Sequence, residues 1–327
     1  MRKTLVSELT DDQAVDSPFA IWERRILQTR EKKDYLSLEL ADRSGKIPAR
    51  MWDNLKAVLP FVQVGTVVRV IGLTQSYNGI LQIKISDLQP LGPDEYCQDD
   101  FLPPRRHSQD SQVQLLHRSI SSVANPWLLT LLNSFFLDQE FLHRFADAPA
   151  AKIYHHAYLG GLLDHTLSVV AILERVVETH PELDRDLLIA AGLLHDAGKV
   201  ETYVQQGFVF DFTDCGRLLD HVVLLDRKVQ AKILQISDFP PDLAIRLSHA
   251  LLSHHGEREN GSPVLPMTAE AVALYHADNL DAQVQQCTEL LEGTPSGERW
   301  TKFRHNLGKA LFVGERAATD PEPSSID

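Results

Sequence analysis

The spacing of apolar residues changes once along this chain, near residue 113, and that change limits the folds open to it. Before it, apolar and polar residues alternate, as over residues 35–40 and 81–85. Beyond it, apolar residues recur every three or four positions almost to the end. Alternation predicts β-strands, and the longer spacing predicts α-helices. The sequence therefore predicts an all-β unit followed by an all-α unit.

The β part has the element order of a small barrel. Residues 16–90 hold the alternating segments, including 47–52, and the turn sequence Asn78-Gly79, which favours a two-residue hairpin. Residues 53–63 are the one stretch of this part with a helical pattern, and they lie between the third and fourth strands. Five strands with a helix at that position predict an OB-fold barrel, a fold that binds oligonucleotides.

A polar stretch that contains prolines separates the two parts. We expect an OB-fold domain over residues 1–92, a linker over 93–112, a helical domain over 113–315 and a disordered tail over 316–327. Seven segments of the helical domain have helical spacing: 113–123, 126–145, 159–179, 183–196, 217–235, 241–255 and 267–291.

The net charge of −13 is unevenly distributed. Residues 1–92 carry 13 Lys and Arg against 11 Asp and Glu, whereas the rest of the chain carries 19 against 34. A slightly basic first domain suits a surface that binds phosphates, and an acidic second domain suits a unit rich in carboxylate ligands.

The sequence has no feature of a secreted or membrane protein. Neither end has the apolar segment of a targeting peptide, and no stretch approaches the ~20 apolar residues of a membrane span. Cys97, Cys215 and Cys287 have neither metal-type nor disulfide-type spacing. We therefore expect a cytoplasmic protein that does not bind a membrane. A homo-oligomer is compatible with the sequence and stays open.

Histidine is concentrated in the helical part. All 14 lie beyond residue 100, and ten fall between His155 and His276. Seven side chains lie on otherwise apolar faces of separate predicted helices: His165, His195, Asp196, His221, His254, His255 and Asp278. A single buried histidine is more often a hydrogen-bonded core residue, but seven such groups each need a buried partner. Shared metal ions would satisfy them all, so we interpret the set as a metal site.

The same positions resemble a known family. His165, His195-Asp196 and Asp278 match the H…HD…D signature of the HD superfamily of metal-dependent phosphohydrolases. Over about residues 15–290 the chain is similar, more narrowly, to the YhaM-type 3′→5′ exoribonucleases, which join an OB-fold domain to an HD domain. The similar segments are APAAKIYHHAYLGGLLDHT (148–166), GLLHDAGKV, LLSHHGE followed by GSP, ADNLDA and SYNGILQIKI. Asp164 and Asp220 depart from the pattern, because a glutamate and a glycine are usual there.

The resemblance implies an N-terminal all-β OB-fold barrel followed by an all-α HD-domain helical bundle. It also implies two metal sites: one formed by His165, His195, Asp196 and Asp278, and one by His221, His254 and His255, with Asp196 bridging. Imidazole and carboxylate ligands suit a divalent transition metal, with Mn²⁺ expected first and Co²⁺, Fe²⁺ or Zn²⁺ as alternatives. Asp196 is the expected catalytic residue, since it alone would touch both ions.

Four further residues have more than one interpretation each. Lys199, the second catalytic candidate, would place its ammonium on the scissile phosphate, or it is a cation at a helix C-terminus. His155 and His156 would contact a substrate phosphate, or they form local hydrogen bonds at a helix start, and His156 is also a candidate for an added ligand of the metal site. Asp281 would orient a ligand histidine, or it is an exposed carboxylate.

Six aromatic and basic residues on or beside the predicted strands are candidates for contact with a nucleic-acid strand: Tyr35, Arg50, Trp52, Arg69, Tyr77 and Lys84. Single strands bind by stacking bases on aromatic rings while basic side chains follow the phosphates. Aromatic residues in strands are also common core residues, and that alternative stays open for each.

These features predict a metal-dependent 3′→5′ exonuclease that acts on single-stranded RNA, with single-stranded DNA as a further candidate substrate. One alternative is an HD-type phosphohydrolase of a nucleotide or cyclic dinucleotide. HHGERENGSP is similar to the corresponding segment of the HD-GYP cyclic-dinucleotide enzymes, but Pro263 stands where those have a tyrosine. The other alternative is a non-catalytic single-strand-binding protein. This alternative is disfavoured because every expected ligand position holds a residue that can bind a metal.

Overall fold

A computed structural model of the chain describes residues 3–101, 105–151, 158–295, 297–301, 303 and 307–314. The first part is a closed barrel of five strands: β1 (Ala14–Gln28), β2 (Asp34–Asp42), β3 (Gly45–Met51), β4 (Val67–Tyr77) and β5 (Ile80–Pro90). Their order round the barrel is β1-β2-β3-β5-β4. β3 and β5 run parallel, and the other neighbours run antiparallel. The predicted OB-fold barrel is confirmed.

The hairpin between β4 and β5 turns at the predicted dipeptide. Asn78 and Gly79 have φ values of 51° and 75°, and two consecutive positive φ values make the type I′ turn that matches the twist of paired strands. The apolar residues of the alternating segments point into the barrel, where Leu36, Leu40 and Ile83 are completely buried.

The helix predicted over residues 53–63 is wrong in its extent. α1 covers only Leu55–Val58 and follows Asn54, which has a φ of 60°. Pro60 accounts for the early end, because it has no N–H to donate to the carbonyl of residue 56. α1 still lies between β3 and β4, so the predicted order of elements holds.

The second part is a helical bundle with one hairpin. Its elements are α2 (Gln109–Ser121), α3 (Pro126–Phe136), α4 (Gln139–Asp147), α5 (Gly161–Thr179), α6 (Arg185–Leu194), α7 (Lys199–Thr202), β6 (Tyr203–Gln206), β7 (Val209–Phe212), α8 (Asp214–Ile233), α9 (Pro241–Ser253) and α10 (Ala269–Glu292). Residues 187–194 of α6 are all buried. α6 is therefore the central helix of the bundle, and it leads directly to His195 and Asp196.

Two helices, α3 and α4, replace the single helix predicted over residues 126–145. α3 ends before Leu137, and the Asp138 carboxylate accepts hydrogen bonds from the N–H groups of Glu140 and Phe141 as the cap of α4. Aspartate is one of the preferred N-cap residues. The continuous apolar spacing concealed this signal in the sequence.

The β6–β7 hairpin was not predicted, and it ties the bundle to the barrel. Phe208 at its tip is buried against the rings of Tyr96 and Phe101. The N–H of Phe208 donates to the carbonyl of Gly65 in the barrel, 3.3 Å away. Since Tyr96 and Phe101 belong to the segment predicted as a linker, that segment is partly packed rather than wholly exposed.

The predicted tail, residues 316–327, lies outside the described residues. Among the residues that are described, no helix combines the length and the apolar character that crossing a lipid bilayer requires. Cys97, Cys215 and Cys287 are free thiols.

Candidate metal centre

The structure brings the seven predicted ligands together in the middle of the bundle. The elements that carry them are α5 (His165), the end of α6 (His195 and Asp196), α8 (His221), the end of α9 (His254 and His255) and α10 (Asp278). All of them are buried or half-buried, and they form two groups.

The first group contains His165, His195 and Asp278, each with a ligand atom within 4.8 Å of the others. Nε2 of His165 lies 3.1 Å from Oδ1 of Asp278 and 3.2 Å from Nε2 of His195. Oδ2 of Asp196 is 3.4 Å from the same His165 nitrogen. These atoms are close enough together to share one ion.

The second group contains Asp196, His221, His254 and His255. Oδ1 of Asp196 lies 3.2 Å from Nε2 of His221 and 3.7 Å from Nε2 of His254. Asp196 therefore turns one carboxylate oxygen towards each group, which is the placement that a bridging ligand needs.

Three buried atoms of this centre face one another without a well-aligned hydrogen bond: Oδ1 of Asp196, Nε2 of His221 and Nε2 of His254. The described residues contain seven buried side-chain atoms without such a bond, so nearly half of them lie at this one place. A buried polar atom without a partner is costly, and a cation would satisfy all three. Nitrogen and carboxylate donors fit a divalent transition metal, so the residues fit the ions that the HD signature implies.

The ligand histidines are oriented through their other ring nitrogen. Nδ1 of His195 is 2.8 Å from the carbonyl oxygen of Gly192, and Nδ1 of His254 is 2.7 Å from that of Leu251. The remaining pairs are His165 with the carboxylate of Asp281, His221 with that of Asp220, and His255 with the carbonyl of Asn260. An Nδ1–H donated to an acceptor leaves the Nε2 lone pair for a metal. The orienting contact expected of Asp281 is thus present, at 2.7 Å.

Burial and neighbouring charges shift the pKa values of these groups in different directions. Burial lowers the pKa of His195 to about 4, which keeps the ring neutral and able to ligate. Burial also opposes protonation of His165, but hydrogen bonds to Asp278 and Asp281 raise its pKa to about 9. Burial alone would raise the pKa of Asp196, yet the Lys199 ammonium holds it well below its usual value. The carboxylate that faces both groups is therefore ionised.

A cavity of about 390 Å³ opens over these ligands. Its lining includes His221, His255, Asp278, Lys199, Tyr203 and Phe212. The volume lies near the lower end of the ~300–1,000 Å³ of small-molecule pockets, so it suits one small unit of a substrate. The rings of Tyr203 and Phe212, 5.1 Å apart, come from the β6–β7 hairpin, which the periodicity of the sequence did not reveal.

Lys199 is the first residue of the four-residue helix α7 and follows the C-terminal end of α6 at Leu194, so both interpretations of it stay open. Its Nζ lies 2.6 Å from Oδ2 of Asp196, and its side chain is 11% exposed. Burial disfavours its charge, but the carboxylate of Asp196 and the phenol of Tyr203 raise its pKa above the usual value. Lys199 thus presents a fixed positive charge in the cavity wall.

Three of the predicted nucleic-acid contacts form one group on the barrel. The rings of Tyr35 and Trp52 are stacked, with centroids 4.5 Å apart and an interplanar angle of 24°. Arg50 donates to Gln82 over 3.0 Å and to the Tyr35 hydroxyl over 3.4 Å. Lys84 is the register partner of Arg50 on the neighbouring strand β5. We call Tyr35, Arg50 and Trp52 the stacking platform.

The other two barrel candidates lie elsewhere. Tyr77 is 61% exposed at the end of β4. Arg69 donates to both carboxylate oxygens of Asp16, over 2.6 and 2.8 Å, on the β1–β4 side of the barrel. The barrel also has a basic–aromatic pair that the sequence did not reveal. Nζ of Lys46 lies 3.4 Å from the ring centre of Trp22. His155 and His156 lie outside the described residues.

Known families match both parts of the chain. Residues 162–283 match the family model described as the HD domain, and residues 22–91 match that of an OB-fold nucleic acid binding domain. The two matches fall on the helical bundle and on the barrel, in the order that the structure has them.

Curated relatives match both parts together. A protein of Bacillus licheniformis named 3′-5′ exoribonuclease YhaM is 33% identical over 267 residues, which cover 81% of this chain and 84% of that protein. Its namesake in Bacillus subtilis is 33% identical over 269 residues with the same coverage. The namesake in Listeria innocua is 30% identical over 267 residues, again 81% of this chain and 84% of that protein. This chain belongs to the YhaM exoribonuclease family.

Proposed function

We propose that this protein is a metal-dependent 3′→5′ exonuclease that hydrolyses the phosphodiester bonds of single-stranded RNA. The observation that carries the proposal is Asp196, an ionised buried carboxylate that faces two groups of ligand histidines. The direction of cleavage and the preference for RNA follow the names of the curated relatives.

The ion sites of the proposal follow the two groups of side chains. His165, His195, Asp196 and Asp278 would hold one divalent ion, and His221, His254 and His255 a second, with Asp196 shared. Mn²⁺ is the first candidate for this mixed donor set. Such ions supply an activated water and polarise the phosphoryl oxygens.

The cavity supplies the remaining chemistry from this chain's own side chains. The Lys199 ammonium is placed to pair with a non-bridging oxygen of the scissile phosphate, where a buried charge is more effective than in water. The Tyr203 and Phe212 rings form a wall suited to a base or sugar. A cavity of about 390 Å³ would admit one terminal nucleotide at a time, which favours cleavage from an end over cleavage within a strand.

The barrel would hold the strand that enters the cavity. The stacked rings of Tyr35 and Trp52 offer a base a flat surface, and Arg50 adds a positive charge beside it. Tyr77, Arg69 and Lys84 remain candidate contacts further round the barrel. The same proposal includes domain boundaries at residues 92 and 113. It also includes a cytoplasmic location.

One experiment separates the candidate functions. The protein with Mn²⁺ is incubated with RNA labelled at its 5′ end, with the same RNA labelled at its 3′ end, with single-stranded DNA and with cyclic dinucleotides. The proposal expects stepwise shortening of 5′-labelled RNA and immediate release of a labelled mononucleotide from the 3′ label. Hydrolysis of cyclic dinucleotides alone would favour the small-molecule phosphohydrolase, and binding without any product would favour the non-catalytic protein.

A further inference from the structure

Asp220 interrupts α8 with a backbone conformation that is rare for any residue with a side chain. Its φ is 63° and its ψ is 158°, inside an element that is otherwise helical. This region of backbone space is essentially restricted to glycine, and other residues stay there only where the surroundings compel it. The kink therefore needs a local cause.

The packing beside the kink supplies one part of that cause. A Cβ atom added to Gly198 would lie 2.1 Å from the carbonyl oxygen of His221. The kinked segment thus rests directly on the backbone of the turn that follows His195 and Asp196. This contact brings Nε2 of His221 to 3.2 Å from Oδ1 of Asp196.

The carboxylate of Asp220 supplies the other part. Its Oδ1 accepts a hydrogen bond from the backbone N–H of His221 over 2.5 Å and a second, shorter one from Nδ1 of the same ring. One oxygen atom thus fixes both the main chain and the ring of His221. Nε2 of that ring is left facing Asp196 without a well-aligned hydrogen bond of its own.

We infer that Asp220 is a positioning residue for the second ion, and that it sets the ring of His221 through this pair of hydrogen bonds. A glycine, which is usual at this position in the family that the chain resembles, would adopt the backbone without strain but would leave the ring of His221 without this pair of hydrogen bonds. The inference rests on the two-ion centre of the proposed function. It makes no use of nucleic acid, so metal binding tests it separately from the nuclease activity.

The test compares three variants of the full chain with the wild type. Asp220→Gly removes both the strain and the carboxylate, whereas Asp220→Asn keeps an oxygen that accepts both hydrogen bonds. Asp238→Gly is the matched control, because exposed Asp238 also has a positive φ, 54°, in the loop between α8 and α9. Mn²⁺ binding is titrated by competition with a fluorescent chelator, and the melting temperature of the metal-free proteins is recorded.

We expect the second Mn²⁺ to bind roughly 10–100-fold more weakly to Asp220→Gly, the effect typical of losing a residue that orients a ligand. The first Mn²⁺ should bind as in the wild type, and the metal-free melting temperature should not fall, because relief of the strain offsets the lost hydrogen bonds. Asp220→Asn should lie between the two, and Asp238→Gly should bind both ions normally.

Two results would overturn the inference while leaving the proposed function intact. One is an Asp220→Gly protein that binds both ions as tightly as the wild type. The other is a protein that loses both ions equally together with several degrees of melting temperature, since that is the behaviour of a residue needed only for folding. A wild type that binds no second Mn²⁺ would instead overturn the two-ion centre itself, and this inference with it.

Discussion

Asp196 and Lys199 form a buried ion pair in which Nζ of the lysine lies 2.6 Å from Oδ2 of the aspartate. The two residues stand one helical turn apart, so the turn after α6 places the ammonium and the carboxylate side by side at the cavity. The pair joins the candidate metal centre to the place where a phosphate would lie. Each member can therefore be tested for a different role.

Replacement of Lys199 by alanine should lower kcat by roughly 10²-fold, the usual cost of removing one group that stabilises developing charge. Metal content should stay normal, because no proposed ligand is lost. Lys228→Ala removes an equal charge that pairs with Glu201 outside the cavity lining, and it should leave kcat unchanged. Steady-state hydrolysis of saturating 3′-labelled RNA measures kcat, and equal values for the two variants would show that Lys199 has no catalytic role.

The stacking platform predicts two separable losses of affinity. Trp52→Ala should weaken binding of a single strand roughly 10-fold, because stacking of a base on an aromatic ring contributes about 1–3 kcal/mol. It should leave the salt dependence of binding unchanged. Arg50→Ala should reduce the slope of log affinity against log salt by about one, since one phosphate contact is lost.

Fluorescence anisotropy at a series of salt concentrations distinguishes these two effects. Each variant serves as the control for the other, because the two side chains are neighbours on the same barrel face. Unchanged affinity and slope in both proteins would show that the strand binds elsewhere on the barrel.

Phe208 is expected to stabilise the contact between the bundle and the barrel. Phe208→Ala should reduce the free energy of unfolding by about 3 kcal/mol, the lower end of the range for a buried phenylalanine. The barrel and the bundle should then unfold in two calorimetric transitions. Val204→Ala changes an exposed residue of the same hairpin and should alter stability by less than about 0.5 kcal/mol. A single unshifted transition in Phe208→Ala would contradict this role.

The periodicity of the sequence predicts the barrel, the bundle and the helices that carry His165, His195 and Asp278, because apolar spacing is a local property of the chain. It misses the β6–β7 hairpin, whose strands have only four residues each and whose stability comes from distant partners of Phe208. It also cannot reveal which backbone carbonyls orient His195 and His254, since those contacts depend on helix ends. The left-handed conformation of Asp220 depends on the close approach of Gly198, which is a tertiary contact.

The barrel illustrates the same limit. Tyr35, Arg50 and Trp52 are identifiable in the sequence as residues on or beside strands, but their grouping depends on the register of β2 with β3. Arg69 has the same residue type as Arg50, yet Asp16 on the adjacent strand engages its guanidinium. Partners of this kind are set by strand order and not by the residues next to them in the chain.

The most direct test of the account is the rate of RNA hydrolysis by Asp196→Ala, with Asp242→Ala as an exposed aspartate control. Loss of the carboxylate that faces both ligand groups should lower the rate by roughly 10³-fold or more. Affinity for a single strand, measured by anisotropy, should stay within about twofold of the wild type, since the stacking platform is untouched. A folded, Mn²⁺-loaded Asp196→Ala protein that hydrolyses RNA nearly as fast as the wild type would contradict the assignment of this centre.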